Sequence, residues 1–102
     1  MYGGTIGAPG FLNSATRFGG GIYSAGTVLL VGVTVQNNKA GFGGGGMYLA
    51  QGSNTTLISV IVQNNKLNGG AGVGIYEQNG SNQTIIGLTD NDDPGGKPVQ
   101  GP

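Results

Sequence analysis

The stretch Val35–Tyr48, VQNNKAGFGGGGMY, passes from an apolar alternation through an Asn pair into a cluster of glycines. Taken alone, it has the composition of a flexible linker. The chain repeats it, however. NSATRFGGGIY (Asn13–Tyr23) precedes it and VQNNKLNGGAGVGIY (Val62–Tyr76) follows, each running from Asn through Gly to an aliphatic–Tyr pair. A motif that recurs with its variation confined to the middle is a structural unit. Anchored on Asn13, Asn38, Asn65 and Asn91, the spacings are 25, 27 and 26 residues, and Ile22, Met47 and Ile75 give 25 and 28. Two landmarks therefore agree on a repeat of about 26 residues, within the range of stacked-repeat folds.

The repeat is β in character. Gly, Asn, Thr, Val and Ile dominate it, residues that are poor in helices and in part favoured in strands. Each period offers three short strands, GGGIYS, TVLLV and VTVQNN in the first full one. Alternation in the last points Val33 and Val35 one way and Thr34 and Gln36 the other. One period on, the same positions fall on Val60 and Val62, then on Ile86 and Leu88. The expected apolar ladders are therefore Val33/Val60/Ile86 and Val35/Val62/Leu88. Strands that pair with their equivalents one coil away describe an all-β parallel β-helix (solenoid) of three to four coils. Residues 1–92 form the coils, the first incomplete, and residues 93–102 form an irregular Pro/Gly-rich tail. The glycines become corner residues of a rigid object, where positive φ or close backbone approach is required. The asparagines Asn13, Asn38, Asn65 and Asn91 stack as an amide ladder at one corner. With no recognisable cap, open strand edges at both ends predict end-to-end self-association.

Composition narrows the function classes. Gly is 24 of 102 residues, but no Gly-X-Y period is sustained and Pro numbers only 4. Net charge is zero, with 4 basic and 4 acidic residues. Nothing steers a polyanion, so nucleic acid is not expected as a partner. No apolar run is long enough for membrane insertion. The absence of Cys and His removes thiolate metal sites and the commonest general base. No signal peptide is visible at MYGGTIGAPG, so an exported protein would contain this chain as a mature piece or internal fragment.

These residues resemble the right-handed parallel β-helix repeats of bacterial cell-surface proteins, in particular the polymorphic outer membrane protein adhesins and similar anchored surface proteins. The resemblance rests on two elements. Gly20-Gly21-Ile22, Gly45-Gly46-Met47 and Gly72-Val73-Gly74-Ile75 echo a Gly-Gly-small-Ile element. Val35-x-x-Asn38, Val62-x-x-Asn65 and Leu88-x-x-Asn91 echo an apolar residue three before an Asn, with aliphatics where the adhesin repeats favour Phe. At Asn13 the matching position is Gly10. The resemblance covers roughly residues 10–92 and implies an extracellular or cell-surface location.

Candidate sites are few. Lys39 and Lys66 share a ladder position, with no carboxylate placed between them, and read as a solvated rim. DNDDPGG (Asp90–Gly96) is the one acidic cluster; it lacks EF-hand spacing and reads as a frayed polar terminus rather than a calcium site. GGAGVGIYE (Gly69–Glu77) approaches a calcium-binding nonapeptide but carries Gly74 where the liganding Asp belongs. No cofactor is implied. Tyr23, Tyr48 and Tyr76 each follow an inward Ile or Met and are expected to stack outward, a candidate surface for a glycan or a cell-surface protein. Sequons begin at Asn54, Asn79 and Asn82, in expected surface loops. The expectation is a non-catalytic stalk or adhesive segment. The alternative is a fragment of a carbohydrate-active β-helix protein, of lyase or hydrolase type, whose catalytic coils lie outside this chain.

Overall fold

The computed structural model describes residues 1, 3–7, 13–15, 19–69 and 72–101; Gly10 and Arg17 lie outside them. Short strands follow one another along the described chain: β1 (Thr5–Ile6), β2 (Asn13–Ala15), β3 (Ile22–Ser24), β4 (Thr27–Val31), β5 (Thr34–Gln36), β6 (Asn38–Ala40), β7 (Met47–Leu49), β8 (Asn54–Gln63), β9 (Lys66–Leu67), β10 (Ile75–Glu77), β11 (Asn82–Asp90) and β12 (Val99–Gln100). Every pairing is parallel and joins a strand to its equivalent one coil away. The chain is a parallel β-solenoid of about three turns.

Three sheets form its faces. One runs β1–β5–β8–β11 with β4 also on β8, a second runs β12–β10–β7–β3, and a third runs β2–β6–β9. The second and third strands expected in each period thus lie in one sheet, continuous in β8. A bend at Ser59 (φ 52°), matched by Gly32 (64°) and Gly87 (77°), divides it. The left-handed residue resets the alternation, so Leu57 and Val60 both point inward although three apart. The third sheet arises from the NKA segment after the Asn corner, which carries no β pattern of its own.

The core consists of Leu30, Val33, Val35, Met47, Leu49, Leu57, Val60, Val62 and Ile75. Burying each aliphatic side chain contributes about 1.5–3 kcal/mol. Glycines let the coils approach. A Cβ on Gly45 would fall inside contact distance of the carbonyl oxygens of Lys66 and Val73, so the glycine run is a rigid corner. Of each Asn pair, the first residue takes the left-handed bend, Asn37 and Asn64 both at φ 55°. The second, Asn38 or Asn65, turns inward and is buried.

The apolar ladders extend differently in the third coil. Leu88 pairs with Val60, Asp90 with Val62 and Ile86 with Ile58. The columns are therefore Val33/Val60/Leu88 and Val35/Val62/Asp90, while Ile86 points outward and is 58% exposed. Register holds without interruption from Asn82 to Asp90, and the missing length falls in the turn that follows.

Partial caps cover both ends, contrary to the uncapped ends expected from sequence. β1 lies on β5, and Gly3 and Met1 bond to Val31. β12 lies on β10, so the segment read as an irregular tail continues the superhelix. β11 keeps an unpaired outer edge among the described residues.

Candidate functional site

The asparagine ladder has a direction. Asn13 Nδ2 donates to Asn38 Oδ1 at 3.0 Å, and Asn38 Nδ2 donates to Asn65 Oδ1 at 3.1 Å. The same Asn65 Oδ1 also accepts the Asn38 backbone N–H at 3.1 Å. Each buried amide spends its second N–H on a carbonyl one coil below, Asn38 on Ile6 and Asn65 on Val35. The next rung was expected at Asn91 and is Asp92 instead. Asp92 Oδ2 accepts Asn65 Nδ2 at 2.8 Å and the Asn65 N–H at 3.1 Å. Asn91 is exposed and donates its backbone N–H to the Val62 carbonyl. The strand register of 28 residues would carry the Asn65 position to residue 93; the turn after Asp90 is one residue shorter than the turn after Val62, which places the rung at Asp92.

A second substitution sits beside the first. In the lower coils, one glycine carbonyl accepts two successive N–H groups: Gly46 O from Gly21 and Ile22, Gly74 O from Gly46 and Met47. Above Gly74 there is no further glycine. The Asp93 carboxylate takes its place, accepting from Gly74 N at 3.1 Å and Ile75 N at 2.8 Å. Asp92 and Asp93 thus present the acceptors that another coil would have offered. Charge-assisted bonds of this kind are stronger than neutral ones. DNDDPGG is a structural cap, in which Asp92 Oδ2 and both Asp93 oxygens are turned to the chain's own N–H groups.

Gly74 is where the cap meets the coil. A Cβ there would lie 2.8 Å from Asp90 Oδ1 and from Asp93 Oδ2. Burial first, then the neighbouring Asp93 carboxyl, pushes the Asp90 carboxyl up to about 7. On β10, burial also raises the Glu77 carboxyl. Glu77 stands in register with the buried Leu49 and lines a hollow of about 570 Å³ with Ile85, Leu88, Lys97 and Pro98. Lys39 and Lys66 pair in register on the third sheet.

The tyrosines stack in register, with ring centroids 5.2 Å apart for Tyr23–Tyr48 and again for Tyr48–Tyr76, nearly parallel in both pairs. The spacing follows the coil repeat. The column is not uniformly exposed, as a sequence alternation alone suggests. Tyr48 is 6% exposed between its two neighbours, whereas Tyr23 is 55% exposed. Tyr76 is half-buried beneath Val99, and Gly101 lies against its hydroxyl. The accessible ring face belongs to Tyr23. The sequon residues Asn54, Asn79 and Asn82 are all exposed, although Asn54 and Asn82 open strands instead of sitting in loops.

The fold and these columns define the class as a parallel β-solenoid repeat protein. No family model, curated protein or solved structure matches the chain.

Proposed function

We propose that the chain is a non-catalytic segment of an extracellular or cell-surface protein, serving as a stalk or adhesive surface in the manner of the outer membrane adhesin repeats. The observation that carries this reading is the in-register tyrosine column ending on the open ring of Tyr23. An aromatic face contributes stacking energy to a sugar ring or a partner side chain without needing charge. The chain's polar side chains, meanwhile, serve coil stacking: Asn38, Asn65, Asp92 and Asp93 hold backbone groups, and Gln63 Nε2 bonds Gln36 Oε1 at 2.9 Å. Association of copies through the unpaired edge of β11 belongs to the same reading.

A glycan array and a cell-binding assay with the purified chain test it. Binding that falls at least tenfold, about 1.4 kcal/mol, in Tyr23→Ser, with the β-type circular dichroism retained, supports the adhesive surface. Cleavage of pectin, alginate or a glycosaminoglycan by a pure preparation, with or without calcium, overturns the non-catalytic reading.

A further inference from the structure

Two carboxyl groups meet inside the C-terminal end of the solenoid. Asp90 is 5% exposed and Asp93 is 7% exposed. Asp90 closes the column begun by Val35 and Val62, so its side chain enters the core from the last strand. Its Oδ1 accepts from Asp92 N at 3.1 Å and Asp93 N at 3.2 Å. Its Oδ2 is buried with no partner. Both oxygens of Asp93 are engaged by Gly74 N and Ile75 N.

Among the described residues, the surroundings bring no positive charge. The turn after β11 contributes Asp92 and Asp93, β8 contributes Val62, and the approach to β10 contributes Gly74. The next charged side chains, Glu77 on β10 and Lys97 before β12, do not bond to Asp90. Two ionised carboxylates at this depth would leave one buried oxygen unsatisfied and a like-charge pair unscreened.

We propose that Asp90 and Asp93 share one proton, carried on Asp90 Oδ2, and that this proton latches the C-terminal turn onto the third coil. With the proton in place, Oδ2 becomes a donor to Asp93, so the orphaned oxygen and the repulsion disappear together. Asp93 keeps both oxygens on Gly74 N and Ile75 N. Because burial and Asp93 push the Asp90 carboxyl up to about 7, the latch works around neutrality. When the proton leaves to solvent, ionised Asp90 repels Asp93 and the turn's grip on the two N–H groups weakens. Residues Gly96, Lys97 and Pro98 form one wall of the hollow facing Ile85 and Leu88. Loosening the turn therefore opens the apolar end of the solenoid in mildly alkaline solution, and return of the proton closes it in mildly acidic solution.

Carboxyl carbon NMR titration and amide hydrogen exchange on the 102-residue chain test the latch. Asp90 is expected to titrate near neutrality. Gly74 and Ile75 should lose about tenfold protection between two pH units below and two above that midpoint, after correction for intrinsic rates. Gly46 and Met47, which bond a carbonyl in the same geometry, should not change. In Asp90→Asn the amide donates permanently to Asp93, so protection should be independent of pH. Titration of Asp90 in the ordinary aspartate range, or equal pH response at Gly46 and Gly74, overturns the proposal. Should Asp90→Asn fail to fold, the wild-type titration and exchange decide alone.

Discussion

Asn65 and Asp92 stand one coil apart at the same corner, and Asn65 gives Asp92 Oδ2 both its side-chain and its backbone N–H. Asn38 gives Asn65 Oδ1 the same two groups. Asn65 is therefore the rung with partners above and below. Truncating it leaves buried groups unpaired on both sides, at about 1–3 kcal/mol for each lost buried partner. Asn65→Ala should lower the melting temperature by roughly 4–8 °C per kcal/mol in a chain of this size. Asn64 is exposed, and Asn64→Ala should cost clearly less. Equal losses in thermal unfolding would mean that the corner is one residue out.

The third-coil register is testable by truncation. Leu88 faces the core above Val60, while Ile86 points to solvent. Leu88→Ala should destabilise by about 1–3 kcal/mol, short of the 2–5 typical of a fully buried leucine because its site is partly open. Ile86→Ala should fall within about 0.5 kcal/mol of the parent. Denaturant midpoints in the reverse order would restore the ladder expected from the bare alternation.

Ser59 occupies a position where the neighbouring coils place Gly32 and Gly87, all at positive φ. A left-handed conformation costs a residue with a Cβ about 1–2 kcal/mol, partly offset by the extra unfolded-state freedom of glycine. Ser59→Gly should raise stability by roughly 0.5–1 kcal/mol. A lower unfolding midpoint would show that the Ser59 hydroxyl contributes more than its strain.

Glu77 faces inward above Leu49, and burial raises its carboxyl. The folded chain therefore holds this proton more tightly than the unfolded chain does. The associated stability is complete below the unfolded value and is lost as pH rises through the folded one. Glu77→Leu, which continues the Leu49 column, should stabilise at neutral pH and much less in acid. Melting curves at the two conditions check it, and a gain independent of pH would assign the effect to packing alone.

The period, two of the three coil faces and the valine core of the first two turns were legible in the sequence because coil length there is nearly constant. Val33, Val35, Val60 and Val62 keep their alternation, and each Asn–Gly corner recurs as the same letters. The third turn was not. Its rung is an acid, so alignment on Asn91 pulled Leu88 beneath Val62 when Asp90 belongs there. An inward Asp breaks the apolar pattern that reveals a core column. Tyr48 illustrates the other limit. Alternation says which face a ring leaves by, but its two stacked neighbours decide how much of it water reaches.

The one-way donation along the corner makes the solenoid's length a matter of punctuation. An Asn rung reads as a comma, since it accepts from below and donates onward. Asp92 reads as a full stop, because a carboxylate accepts two N–H groups and has none to pass on. Duplicating one span of 27 residues, the interval from Asn38 to Asn65, would lengthen the column without rewriting either end. Asp92→Asn would erase the stop and leave a donor pointing out of the last coil, inviting the next clause from another chain.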